Sequence, residues 1–248
     1  MNALKNRNVV VVGGSRGVGR AIVRAVASEG ATVLVTARGD ADLALLAAEI
    51  PGVKTLALDA AHEEAPARTF AALEPDVLVV CVGAVAASGP LQSLTWQEFS
   101  VNWETDAKAA FLFCGAALRT PMKPGGRIIL ISSGAAITGG PPFAGSYGAA
   151  KRAQRLIAGY SQKESDRLGL ELCFTDLEPR HIMPGTGVGD AGIAGYADYT
   201  GQPAAQILSK MTETQTPEDV ARAVVHMSAA DMTPGAYVVD GKGLAAVE

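Results

Sequence analysis

Tyr147 and Lys151 stand four residues apart in "SYGAAKRAQ" (146–154), with only glycine and alanine between them. Residues four apart on a helix share a face, their Cβ atoms about 5–6 Å apart. An ammonium at that range favours the ionised form of a phenol. A phenol so placed can exchange a proton with a substrate oxygen. A solvated tyrosine and lysine on a surface helix would show the same spacing, so other residues must decide.

A second group could hold an anion. "GGSRGVGR" (13–20) spaces Gly13, Gly17 and Gly19 as G-x-x-x-G-x-G directly after the apolar run "VVVVG" (9–13). Glycines there let the chain turn sharply and bring backbone N–H groups at a helix N-terminus up to a pyrophosphate. At the end of a first strand the pattern reads as a dinucleotide cradle, with Ser15, Arg16 and Val18 inside it. The second apolar run ends "VTAR", so Ala37 stands where an NAD site places an acid for the ribose hydroxyl, and Arg38 follows. Arg16 and Arg38 converging on that corner suit a 2′-phosphate, which favours NADP(H) over NAD(H). Asp59, closing the third run, is placed either to meet the adenine edge or to cap the next helix.

These groups need elements to hold them. "VVVVG" (9–13), "TVLVTA" (32–37), "KTLALD" (54–59), "DVLVVCV" (76–82), "RIILIS" (127–132), "LELCFTDL" (170–177) and "AYVVDG" (236–241) read as strands. Most are uniformly apolar and β-branched, as strands covered on both faces are. Ala-rich amphipathic segments at 17–29, 40–49, 62–73, 95–119, 145–168 and 217–230 read as helices. Thr95 with Glu98 makes a capping box, and Thr216-Pro217-Glu218-Asp219 combines an N-cap, a proline at N1 and first-turn acids. Unbroken alternation implies an α/β fold: one domain over 1–248, with a doubly wound sheet of about seven parallel strands flanked by helices. The Gly- and Pro-rich segment 178–212 is long for a connection and reads as a lid or binding loop.

Composition narrows the partners. A net charge of −4 without a basic block argues against nucleic acid. Cys81, Cys114 and Cys173 form no CxxC pair, and His62, His181 and His226 are scattered, so reduced thiols and no metal site are expected. No window approaches the ~18 apolar residues of a membrane span, and the N-terminus carries no signal-like apolar region. A cytoplasmic location away from membranes is expected.

Together these residues resemble the short-chain dehydrogenase/reductase family over essentially the whole chain. Gly13-x-x-x-Gly17-x-Gly19 is similar to its cofactor turn, Tyr147-x-x-x-Lys151 to its catalytic pair, Asn102 in "FSVNWET" to its helix asparagine, and "ISS" (131–133) to its serine region. The resemblance implies a Rossmann-type domain and a catalytic tetrad. Tyr147 would be the general acid in reduction and the base in oxidation, and Lys151 would assist it while bonding the nicotinamide ribose. A serine would hold the substrate oxygen, and Asn102 would anchor a relay water. Gly83 and Thr186 would border the cofactor.

Several positions depart from the family pattern. The serine usually stands thirteen residues before the tyrosine, where this chain has Gly134; Ser133 is chosen over Ser132, with a one-residue expansion in "GAAITGGPPFAGS". Val80 and Cys81 replace the asparagines of Asn-Asn-Ala-Gly, and Val12 replaces a common threonine. Pro179 is followed by Arg180 instead of glycine, and Pro184-Gly185 comes five residues later. Arg180 and His181 become candidate substrate contacts. Ile193, Tyr196, Tyr199, Ile207, Leu208 and Met211 are expected to line the substrate pocket, while Asp190 and Asp198 disfavour an anion there. A small neutral ketone, aldehyde or alcohol is the expected substrate. The stripe Gly145, Gly148, Ala149, Ala150, Ala153, Ala158 and Gly159, on a helix the family packs against a partner subunit, implies a homodimer or homotetramer. The missing asparagines motivate a rival reading, a cofactor-binding protein with a regulatory or scaffolding role.

Overall fold

The computed structural model describes residues 2–85, 87–120, 122–211 and 215–247. Its strands are β1 (Asn8–Val12), β2 (Thr32–Ala37), β3 (Lys54–Ala57), β4 (Val77–Val80), β5 (Arg127–Ile131), β6 (Cys173–Pro179), β7 (Gly235–Asp240) and β8 (Gly243–Ala246). The helices are α1 (Gly17–Ser28), α2 (Asp40–Glu49), α3 (Ala65–Ala72), α4 (Trp96–Phe99), α5 (Lys108–Arg119), α6 (Ala135–Thr138), α7 (Gly145–Leu168), α8 (Gly187–Thr200), α9 (Ala204–Ser209) and α10 (Pro217–Ala229).

Val9–Val12 are wholly buried, which only a strand covered on both faces allows, and β1 lies inside the sheet. Among the described residues the order is β3-β2-β1-β4-β5-β6-β7-β8, with β8 alone antiparallel to its neighbour. Alternate side chains feed two cores. Val9, Val11, Val33, Val35, Val77, Val79 and Ile129 meet Ile22 and Val26 of α1, Leu46 of α2 and Val224 of α10. Val10, Val12, Leu34, Leu78, Val80, Ile128 and Leu130 meet Phe113 of α5 and Ala158 of α7. The chain direction of winding reverses between β1 and β4, so their C-terminal ends open the crevice in which such sheets take ligands.

Four boundaries differ from expectation. The helix expected over 95–119 is broken: α4 is followed by a π-helical stretch, Trp103–Ala107, before α5. The sixth strand starts at Cys173 rather than 170, because Leu170 N and Leu172 N donate back to Ser165 O and Ser165 Oγ, and Glu171 takes a positive φ of 55°. The expected loop 178–212, whose last residue lies outside the described ones, instead finishes β6 and then carries two helices: Thr186 Oγ1 caps α8 by accepting from Gly189 N, and α9 follows. An eighth strand closes the sheet, its turn held by Asp240 Oδ1, which accepts from Lys242 N and Gly243 N. Its sequence, "GLAA", has no β-branched residue to signal it.

Candidate active site

A cavity of about 1040 Å³ runs along the C-terminal edge of the sheet. Gly13, Ser15, Arg16, Gly17, Val18, Gly19, Arg38, Asp59, Gly83, Asn102, Ser133, Tyr147, Lys151 and Thr186 all line it, as does Ser132. One end is a backbone cradle. Gly13 has φ +83°, and a Cβ there would stand 2.5 Å from Cys81 O; a Cβ on Gly19 would stand 2.2 Å from Gly13 O. These contacts draw β1, α1 and the end of β4 together, and among the described residues the N-cap residue Arg16 makes no side-chain cap on α1. Its free N–H groups and dipole fit a pyrophosphate, so this cradle suits a dinucleotide. Ala37, Arg38 and Arg16 share that end with Asp42. Asp59 Oδ1 accepts from Ala61 N at 3.0 Å, closing a turn; α3 begins only at Ala65, so Asp59 does not cap it.

One departure from the family pattern is bridged by backbone. Cys81 N donates to Val12 O at 2.8 Å, joining the two strand ends without an asparagine. Burial pushes the Cys81 thiol up to about 11, so it stays an unreactive thiol near neutral pH. Thr186 Oγ1 donates to Met183 O besides capping α8, and its methyl side faces Gly17.

At the other end α7 presents Tyr147 half-buried and Lys151 fully buried. Two of the small residues between them are closely packed. A Cβ on Gly148 would meet Gly139 O at 2.5 Å, and Ala150 is wholly buried. Lys151 Nζ donates to Val82 O at 3.0 Å and Ile131 O at 3.3 Å, lies 3.2 Å from Asp106 Oδ2, and stands 5.6 Å from the centre of the Tyr147 ring. Burial works against the charge; Asp106, then Tyr147 and Cys81, favour it and leave the Lys151 pKa above the usual lysine value. Asn102 is locked: Nδ2 donates to Ala84 O at 2.9 Å and Oδ1 accepts from Ser146 Oγ at 3.2 Å.

The two serines separate as successive residues at a strand end do. Ser132 is buried, its Oγ donating to Asp176 Oδ2 at 2.6 Å. Ser133 is half-buried, and its Oγ accepts from Ala135 N at 3.2 Å at the start of α6. Gly139 and Gly140, both at positive φ, then return the chain to α7 over the expanded spacing. Behind Ser132, burial holds Asp176 well above the usual carboxylate range and raises Glu178 also. Asp176 Oδ1 and Glu178 Oε2 are buried without a donor among the described residues, while Glu178 Oε1 accepts from Arg155 Nη1 at 3.3 Å. Two carboxyls two residues apart on one strand face, so deprived, fit a single shared proton.

Of the expected pocket residues, Tyr196 lines the cavity, with Arg180 and His181 at its edge. Ile207 and Met211 line a smaller neighbouring cavity of about 470 Å³. Ile193 is buried, Leu208 is exposed, and Tyr199 leans on the ring of Phe143 at 5.6 Å. Sequence reasoning missed Asp106, Asp176, Glu178 and Phe143. Only Asp106 carried a signal, standing one turn after Asn102. No cluster of metal ligands occurs among the described residues.

Part of the chain is similar in sequence to known proteins. The chain is 32% identical over 132 residues to an L-xylulose reductase of Mesocricetus auratus, covering 52% of this chain and 54% of that protein. It is 29% identical over 126 residues to carbonyl reductase [NADPH] 2 of Sus scrofa, covering 50% and 52%. It is also 33% identical over 136 residues to the cyclic-di-GMP-binding biofilm dispersal mediator protein of Escherichia coli K12, covering 54% and 56%. The chain thus spans about half the length of the curated relatives it matches. A family model, short chain dehydrogenase, matches residues 7–172, which run from β1 through α7 and include both the glycine cradle and Tyr147 with Lys151. By that match the chain belongs to the short chain dehydrogenase family.

Proposed function

We propose that this protein is an NADP(H)-dependent oxidoreductase that interconverts a small neutral ketone or aldehyde and its alcohol. The observation carrying this is a half-buried tyrosine one turn from a buried ammonium, in one cavity with a glycine cradle. Gly13, Gly17, Gly19 and the α1 N-terminus hold the diphosphate; Gly83 and Thr186 border the cofactor. When bound, the nicotinamide supplies or accepts the hydride. Tyr147 gives the proton to the carbonyl oxygen in reduction and takes it from the alcohol in oxidation. Ser133 donates its hydroxyl to that oxygen as charge develops, while Ser132 serves as a buried strut on Asp176. Asn102 and Lys151 fix the wall behind the tyrosine.

Ala37, which offers no carboxylate to a ribose hydroxyl, and the pair Arg16 and Arg38 support a 2′-phosphate. The relative whose name carries NADPH agrees with that choice. Val85, Ile137, Phe143, Ile182, Val188 and Tyr196 give the substrate end an apolar wall, which favours an uncharged substrate. Exposed Phe111 on α5 and Leu156 and Tyr160 on α7 support a homodimer or homotetramer through these helices. Part of the small-residue stripe is used within the subunit, since Ala150 and Ala158 are buried in it. No helix among the described residues is long and apolar enough to cross a membrane, in keeping with a cytoplasmic protein.

A second reading, a cofactor-binding regulator with little catalysis, is favoured by one observation: the three protons of the Lys151 ammonium already face three protein acceptors. Purified protein mixed with NADPH and a panel of neutral ketones separates the two. Turnover that Tyr147→Phe abolishes supports the reductase. NADPH binding without turnover, identical in Tyr147→Phe, would leave the regulator.

A further inference from the structure

Asp106 has no part in the chemistry above, yet it is wholly buried against Lys151 of the site. The π-helical stretch Trp103–Ala107 carries it, and three elements grip it. Its Oδ1 accepts from Ala84 N at 2.8 Å, just beyond β4; its Oδ2 lies 3.4 Å from Asn102 Nδ2 and 3.2 Å from Lys151 Nζ; its backbone oxygen accepts from Gln154 Nε2 of α7 at 3.2 Å. We propose that Asp106 is a positioning residue that keeps Lys151 charged inside the protein and fixes the direction of its ammonium. The role given to that ammonium rests on the reductase reading; the pairing itself does not.

The argument is electrostatic. An ammonium removed from water is stable only beside a compensating charge, and otherwise sheds its proton. Val82 O and Ile131 O are neutral dipoles, so they orient the lysine but cannot balance it. The other titratable groups around Lys151 are Tyr147 on α7, Cys81 beyond β4 and Asp176 on β6. Cys81 is held protonated up to about 11, and burial keeps Asp176 toward its neutral form. Asp106 is the carboxylate at contact distance, 3.2 Å from Lys151 Nζ. Burial alone pulls the Lys151 pKa down, and Asp106 is the largest influence restoring it. The ion pair also decides which contact can yield. A cofactor hydroxyl approaching Lys151 can replace Ile131 O, the longest of the three contacts, and leave the charge pair intact.

The test reads the lysine directly, on the full chain without cofactor. The ε-carbon resonance of Lys151 in 13C-lysine-labelled protein, assigned with Lys151→Arg, is followed against pH in wild type and Asp106→Asn. Asparagine keeps the volume and an acceptor for Ala84 N but removes the charge. The titration midpoint in Asp106→Asn should fall at least about one pH unit below wild type, a tenfold change in proton affinity. An unchanged midpoint overturns the proposal. Should Asp106→Asn not fold, the double variant Asp106→Asn/Lys151→Met decides. Folding restored by removing the second charge supports the pairing; failure of both variants makes Asp106 merely architectural and overturns it. Because no turnover is read, failure of the reductase reading cannot be mistaken for failure of this one.

Discussion

The two ends of the cavity are built by different means. The cradle end, from Gly13 to Asp59, is shaped by backbone: glycines that admit no Cβ and a helix N-terminus left uncapped. The tyrosine end, from Asn102 to Glu178, is shaped by buried titratable groups and their partners: Lys151 on Asp106, Ser132 on Asp176, Arg155 on Glu178. Shape made by missing atoms tolerates almost no substitution and is independent of pH. Shape made by charge pairs accepts isosteric changes but responds to protonation.

Removing the phenol should break the tyrosine end most severely. Tyr147→Phe is expected to lower kcat/KM by about 10²–10⁴-fold, the usual contribution of a positioned acid, with NADPH affinity nearly unchanged in a fluorescence titration. At the cradle end, Gly13→Ala places a methyl 2.5 Å from Cys81 O at a positive φ. A cost of about 1–3 kcal/mol in denaturant unfolding and loss of cofactor binding should follow, with no dependence on pH. Arg38→Ala is expected to weaken NADPH by roughly tenfold or more while NADH binds as before, because a hydrogen bond to a charged group contributes about 1.5–3 kcal/mol. Equal affinities for the two cofactors in wild type would reject the 2′-phosphate assignment.

The smallest effect tests the charged end by pH. The folded-state pKa of Asp176 is raised, so its contribution to stability is complete below the unfolded value near 3.8 and is lost as pH rises toward the folded one. Asp176→Asn mimics the protonated carboxyl. Its melting temperature should exceed wild type at pH 8, by about 2–4 °C per kcal/mol, and converge on it near pH 4. A difference independent of pH would show that Asp176 carries no extra proton in the fold.

This contrast also explains what the sequence disclosed. Glycine spacing after a run of four valines is local information, so the cradle, the alternation of strands and helices around it and the Tyr147–Lys151 turn were legible. Thr95 and Thr216 were likewise readable, since a capping box is written within four residues. The carboxylates were not. Asp106 meets Lys151 across 45 positions and Ser132 meets Asp176 across 44, and nothing local distinguishes a buried acid from a surface one. The helical content of 178–212 was hidden by its glycines, several of which lie inside α8, where Gly189 sits 2.0 Å (from its would-be Cβ) from Met183 O. The eighth strand depended on the turn at Asp240 rather than on its own residues.

The most direct test follows a label. NADPH carrying deuterium at C4 of the nicotinamide is incubated with a small ketone, and the alcohol is analysed by mass spectrometry for wild type and Tyr147→Phe. Deuterium on the carbinol carbon with wild type, and at most trace label with a variant that still binds NADPH, is the predicted result. Equal labelling by both proteins, or none by a wild type that binds NADPH, would contradict it.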